Sequence, residues 1–226
     1  MDQPFHDRRD AGRKLALELE RFQSQKPLVF GLPRGGVPVA FEVAQHLDAP
    51  LDVFVVRKLR VPGHEELAMG AIASGGALVL NRDVLQFMHI PLAIVEDAAQ
   101  REASELVRRE ALYRAGVPLK PVEGRTVILI DDGLATGATM RAALSTLRVL
   151  SPARLVLAVP IAAPAACAQL NDHADEVVCA HTPEHFRAVG LWYKDFEQTG
   201  DQEVQALLAF NRRRMAGLAE RSRKAG

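Results

Sequence analysis

Only two of the 226 residues are cysteine, Cys167 and Cys179. Two are too few for a disulfide framework, and their spacing matches no metal-binding pattern. Both lie in apolar stretches, which predicts reduced, buried thiols. Charge of one sign is also missing: 28 basic residues balance 28 acidic ones. Neither nucleic acid nor an anionic membrane is therefore the default partner. No apolar run is long enough to span a bilayer, and residues 1–15 lack the apolar segment of a secretory leader. These absences together predict a soluble, cytoplasmic protein. Neither G-x-x-x-x-G-K-[ST] nor G-x-G-x-x-G occurs, so the two common nucleotide-loop fingerprints are excluded.

Hydrophobic residues make up 48% of the chain, enough for a substantial core. Helical spacing of Leu15, Leu19 and Phe22 predicts a helix over residues 10–25. Short apolar runs predict buried strands at 27–32, 51–56, 125–130, 154–160 and 176–180. Helices are expected at 36–46, 137–150 and 163–173. Residues 57–67 are polar and Pro/Gly-punctuated, which predicts a loop, and a Gly75-Gly76 turn separates strands at 70–74 and 77–80. A long polar helix over 92–114 carries the pairs Glu105–Arg109 and Glu110–Arg114, above a thin stripe of Ala99, Ala103 and Leu106. A last helix starts near Asp201, an expected N-cap, with Val204, Leu208, Met215 and Leu218 on one face. The basic residues Arg212, Arg213, Arg214, Arg221, Arg223 and Lys224 read as its solvated, dipole-complementing end.

Strands apolar on both faces, alternating with helices, imply a parallel sheet covered on both sides. Ligands of such sheets sit beyond the carboxyl ends of the strands. The loop at residues 127–140, VILIDDGLATGATM, is the most informative. Asp131 and Asp132 close an apolar strand, and carboxylates accept strong hydrogen bonds from vicinal hydroxyls. Gly133, Ala135, Thr136, Gly137 and Thr139 then open a helix with backbone N–H groups and hydroxyls, a phosphate cradle. One loop thus offers acceptors for a sugar diol and donors for a phosphate.

Four apolar residues, two acidic residues and T-G-x-T resemble the signature of the type I phosphoribosyltransferases. The resemblance implies an α/β fold with a parallel sheet flanked by helices and a small hood from the terminal regions. It implies a single domain over 1–226, with a core near 25–180 and the hood and last helix near 181–219. It also implies phosphoribosyl pyrophosphate as substrate, Mg²⁺ bound chiefly through that substrate, and a homodimer. Arg34, Gly35 and Gly36, after the first strand, would contact the pyrophosphate. Residues 57–66 look like the loop that closes over the reaction centre in this family, and their R-K…P-G pattern most resembles the adenine enzymes. Arg57 and Lys58 would stabilise the leaving group, with Glu65 or Glu66 as candidate acid or base. Ala135 stands where the 6-oxopurine enzymes carry Asp, which argues against hypoxanthine or guanine.

Phe186, Trp192, Tyr193 and Phe196 cluster in a chain that is only 5% aromatic, and Trp192 is a candidate stacking plane for a heterocyclic or amine acceptor. The packing of the last helix on the core would explain the same cluster. Pro183 between His181 and His185 argues against a metal pair on one helical face. The rival to a transferase is a regulatory module that senses phosphoribosyl pyrophosphate without turnover. A pure sensor has little need of Lys58 and a nearby carboxylate.

Overall fold

The computed structural model describes residues 5–225, with the side chains of Ser222, Lys224 and Ala225 outside the described set. The chain opens with helix α1 (Arg8–Leu19), capped by the Asp7 carboxylate on Asp10 N and continued by a 3₁₀ turn, Glu20–Gln25. Strand β1 (Leu28–Gly31), helix α2 (Gly36–His46) and strand β2 (Leu51–Val53) follow. Next come strands β3 (Val56–Val61), β4 (His64–Ala73) and β5 (Ala77–Leu80), then helices α3 (Arg82–Phe87) and α4 (Leu92–Arg114). The second half runs β6 (Thr126–Ile130), α5 (Ala138–Val149), β7 (Arg154–Ile161), α6 (Pro164–Gln169), β8 (Glu176–His181) and α7 (Asp201–Ala225).

Five strands form a wholly parallel sheet in the order β2-β1-β6-β7-β8. Val29, Ile128 and Val156 point into one core layer with α1 and α2, and Phe30, Leu129 and Leu157 into the other with α5. The predicted parallel α/β architecture is therefore the observed one. Strand order reverses between β1 and β6, so the helices that follow these two strands, α2 and α5, lie on opposite faces of the sheet and a crevice opens at the strand ends.

Residues 57–67 are not a loop. β3 and β4 pair antiparallel through a Pro62-Gly63 turn, with register shifts between Leu59 and Val61, and β5 completes a three-stranded sheet. Leu59 and Val61 are buried against Met69, Val95 and Ala98. This small core is what stabilises an otherwise polar strand. The stripe of α4 is accordingly Val95, Ala98, Leu106 and Tyr113, while Ala99 and Ala103 border an open groove with Ile72 and Val107.

Three other expectations are corrected. Cys167 and Cys179 are half-buried and bonded to each other, joining α6 to β8. Adjacent parallel strands bring them together despite 12 residues of separation. α3 has no counterpart among the predicted elements, and its N-terminus is capped by the Asn81 side chain on Val84 N. Asp201 opens α7 from inside its first turn, and its carboxylate accepts the Tyr113 hydroxyl at 2.8 Å. Of the apolar face of α7, Val204 and Leu208 are fully buried, and Asn211 bonds Leu51 N and Ala49 O. Both expected i,i+4 pairs of α4 form.

Candidate active site

The loop leaving β1 carries Arg34, Gly35 and Gly36, and the peptide between Pro33 and Arg34 is cis. Leu32 N bonds Ile130 O at 2.9 Å, so this loop is tied to the end of β6. A Cβ on Gly35 would lie 2.1 Å from Asp132 Oδ2, and one on Gly36 2.7 Å from Ile130 O. Glycine at both positions is thus a requirement of close approach. Arg34 stands beside Asp201, at 3.7 Å. Burial, and then that carboxylate, push the Tyr113 hydroxyl up to about 12.

Asp131 and Asp132 occupy the carboxyl end of β6, as expected from the sequence. Asp131 Oδ1 accepts from Asp132 N at 2.9 Å, which turns the chain. Burial, and then the neighbouring Asp132 charge, raise the Asp131 carboxyl well above the usual carboxylate range. Burial also raises Asp132, against the pull of Arg8. Arg8 Nε donates to Asp132 Oδ2 at 2.7 Å, a contact 124 residues apart in sequence. The carbonyl of Asp132 accepts the Tyr193 hydroxyl. Burial followed by the Asp132 charge raises that phenol.

Downstream, Leu134 bridges to Ala162 and extends the sheet by one step. Gly137 adopts φ 71°, a left-handed conformation that glycine tolerates best, and starts α5. The N–H groups of Ala135, Thr136 and Gly137 make no hydrogen bond within the described residues. The first N–H groups of α5 add to them, because a helix start has no internal acceptors for these. Ala135, Thr136 and Thr139 are exposed. An anion placed here would meet convergent donors on a positive helix end. A Gly133 Cβ would lie 2.4 Å from Val189, so the hood closes directly over this loop.

The hood joins Phe5 to the segment between β8 and α7. Phe5 pairs with Tyr193, Phe5 N donates to Trp192 O at 2.6 Å, and Lys194 N donates to Phe5 O at 2.8 Å. Tyr193 stacks on Phe196, and Trp192 meets His181 edge-on at 5.1 Å. Hence the aromatic cluster packs mostly on itself, with Trp192 half-exposed at its rim.

Arg57 and Lys58 point to opposite sides of β3. Successive strand residues face opposite sides: Arg57 donates to Glu102 on α4 at 2.6 Å, whereas Lys58 faces α5. Lys58 lines a cleft of about 590 Å³ with Glu65, Glu66, Ala138 and Arg141. Burial first, then the Arg60 and Arg141 charges, lower the Lys58 ammonium below its usual range. Arg34, Asp131, Asp132 and Trp192 lie outside that lining. The structure therefore joins Arg34–Gly36 to Asp131–Asp132, and leaves the hairpin groups beside α5. Sequence reasoning missed Arg8, Tyr193 as an Asp132 partner, and Arg141.

No cluster of three or more His, Cys, Asp or Glu side chains suited to a metal ion occurs among the described residues. Hard cations take many oxygen ligands, and Asp132 already serves Arg8, so the donor set suits a cation carried by a phosphate ligand better than a protein-built cage. Among the described residues, no helix is long and apolar enough to cross a membrane.

Residues 63–193 match the family model described as "Phosphoribosyl transferase domain". The chain is 49% identical over 204 residues to the Mycobacterium tuberculosis protein named "Putative phosphoribosyl transferase Rv0571c", covering 90% of this chain and 46% of that one. It thus spans about half the length of the curated relatives it matches. Among solved structures, the protein TT1426 from Thermus thermophilus is 45% identical with a TM-score of 0.84, covering 91% of this chain and 98% of that one.

Proposed function

The chain belongs to the phosphoribosyl transferase domain family, and from that premise we propose that it transfers 5-phosphoribosyl from phosphoribosyl pyrophosphate to a nitrogen acceptor. The observation that carries this is the meeting of two loops at the strand-order reversal, Gly35 against Asp132 and Gly36 against Ile130. Asp131 accepts the ribose diol, and the loop from Gly133 to Thr139 holds the 5-phosphate. Gly35, Gly36 and Arg34 take the pyrophosphate. The acceptor nitrogen forms a bond to C1 as the C1–oxygen bond breaks, and that electron pair departs with pyrophosphate. Developing positive charge on the sugar is favoured by the adjacent carboxylates. Mg²⁺ would be held chiefly through the substrate rather than by side chains of this chain, and would supply charge neutralisation of the leaving group.

Lys58 reaches the leaving group by a shift of the hairpin off α5, and Glu65 or Glu66 would accept the acceptor's proton. Ala135 leaves the loop without an acid for a 6-oxopurine. Trp192, at the hood rim, is the stacking surface for the acceptor, a heterocycle or amine. A homodimer through the open side of α4 completes the reading.

The test is release of pyrophosphate from Mg²⁺ and phosphoribosyl pyrophosphate against a panel of bases and amines. Turnover on at least one acceptor, abolished in Asp131→Asn/Asp132→Asn, is the expected result. Unchanged ligand binding in that double variant would overturn the site. Lys58, Glu65 and Glu66 resting beside α5 rather than at Asp131 favour a second reading, a sensor of phosphoribosyl pyrophosphate. Saturable binding without turnover on any acceptor would select it.

A further inference from the structure

Arg8 lies far from the phosphoribosyl loop in sequence, yet it is the cation that meets the acidic pair. Its side chain is only 12% exposed. Nε donates to Asp132 Oδ2 at 2.7 Å, Nη1 donates to Glu197 O at 2.6 Å, and the guanidinium lies 3.9 Å from the Phe196 ring centre. The same Nε sits 3.1 Å from where a Gly35 Cβ would be. One planar group therefore touches the β6 loop, the β1 loop and the hood at once. Such contacts fix a guanidinium in all three dimensions, and lysine could not reproduce them.

We propose that Arg8 is the positioning residue of the phosphoribosyl site, locking Asp132 under Gly35 and supplying the positive charge that opposes protonation of two adjacent carboxylates. This rests on the reading of Asp131 and Asp132 as the ribose acceptors. The groups facing the pair are Arg8 from α1, Tyr193 from the hood, and each carboxyl for the other. Of these only Arg8 is cationic. Desolvated neighbouring carboxylates each make the other harder to ionise. Without Arg8 the pair would take up a proton at a higher pH and lose acceptor capacity for the diol.

The experiment measures the dissociation constant of phosphoribosyl pyrophosphate with Mg²⁺ across pH 5–9, for the wild type, Arg8→Gln and Arg8→Lys, with thermal melting in parallel. Loss of a charge-assisted hydrogen bond predicts about 10- to 100-fold weaker binding in Arg8→Gln at pH 7. The gap should narrow as pH rises, as the pair ionises even unaided. Arg8→Lys keeps the charge, so it should bind less tightly than wild type while its acid limb stays at the wild-type pH. A pH-independent gap, or wild-type affinity in Arg8→Gln, would overturn the role of Arg8. If Arg8→Gln does not fold, the decision falls to Arg8→Lys: an acid limb moved upward there overturns the proposal, and an unmoved one supports it. Absence of binding by the wild type would instead overturn the phosphoribosyl reading itself, so the two failures are separable.

Discussion

At the scale of single residues, space decides more than charge. Gly35 has no room for a methyl group, because Asp132 Oδ2 would lie 2.1 Å from it. Gly35→Ala must displace the Asp132–Arg8 pair, and overpacking of this kind costs about 1–3 kcal/mol. The expected outcome is a lower melting temperature and at least about tenfold weaker binding of phosphoribosyl pyrophosphate, read by calorimetry. Asp131 behaves in the opposite sense. Its folded-state pKa is raised above the unfolded one, so its ionisation penalises folding. That contribution to stability is full below the ordinary carboxylate range and is lost as pH rises through the folded-state value. Asp131→Asn should therefore stabilise the free protein at pH 7, on the order of 1 kcal/mol, while abolishing ligand binding. Denaturant melts at pH 7 and pH 3.5 check the sign, since the gain should vanish at the lower pH.

Among the elements, legibility followed burial. The five parallel strands are predominantly apolar and stand out in the sequence. β3 does not, because Arg57, Lys58 and Arg60 mask the alternation of Leu59 and Val61 that packs it on α4. That period-two signal is present in R-K-L-R-V and could have been read. α3 is six residues long and carries too little pattern to register. At the site, the placement of Asp131, Asp132 and the two glycines at strand ends was legible because the strand-loop-helix pattern around each is local. Arg8 was not, since it stands 124 positions before Asp132 and the chain between must fold before they meet. The two cysteines are a shorter-range case, meeting only once α6 lies beside β8. Thiol titration of the protein unfolded without reductant should find no free thiol, and two after reduction. Reduction should lower unfolding stability by about 2–3 kcal/mol, the range for a loop this short.

For the molecule as a whole, one buried cation links the two sheets. Arg114, at the end of α4, donates to Asp52 Oδ1 at 2.9 Å, Val53 O at 2.6 Å and Ser74 Oγ at 3.2 Å, and it pairs with Glu110. These partners lie on β2, at the end of the three-stranded sheet and on α4 itself, so one guanidinium adds a polar tie between the antiparallel layer and the parallel one to the apolar packing they share. Removing one partner of a buried pair leaves the other uncompensated, at a cost of about 3–5 kcal/mol. Arg114→Leu should show that loss in urea melts. Asp52→Asn, which keeps an acceptor oxygen, should lose less.

The hood holds the chain's one tryptophan, Trp192, with its ring edge on His181 and its carbonyl on Phe5 N. Ultraviolet emission excited at the red edge of protein absorption therefore comes from a single address. An acceptor seated at the hood should quench or blue-shift that signal by excluding water from the indole. Phosphoribosyl pyrophosphate alone, which the proposed site would hold at Asp131 and Thr136, should leave it nearly unchanged. On that proposal the protein carries its own optical probe for ordering the arrival of two ligands.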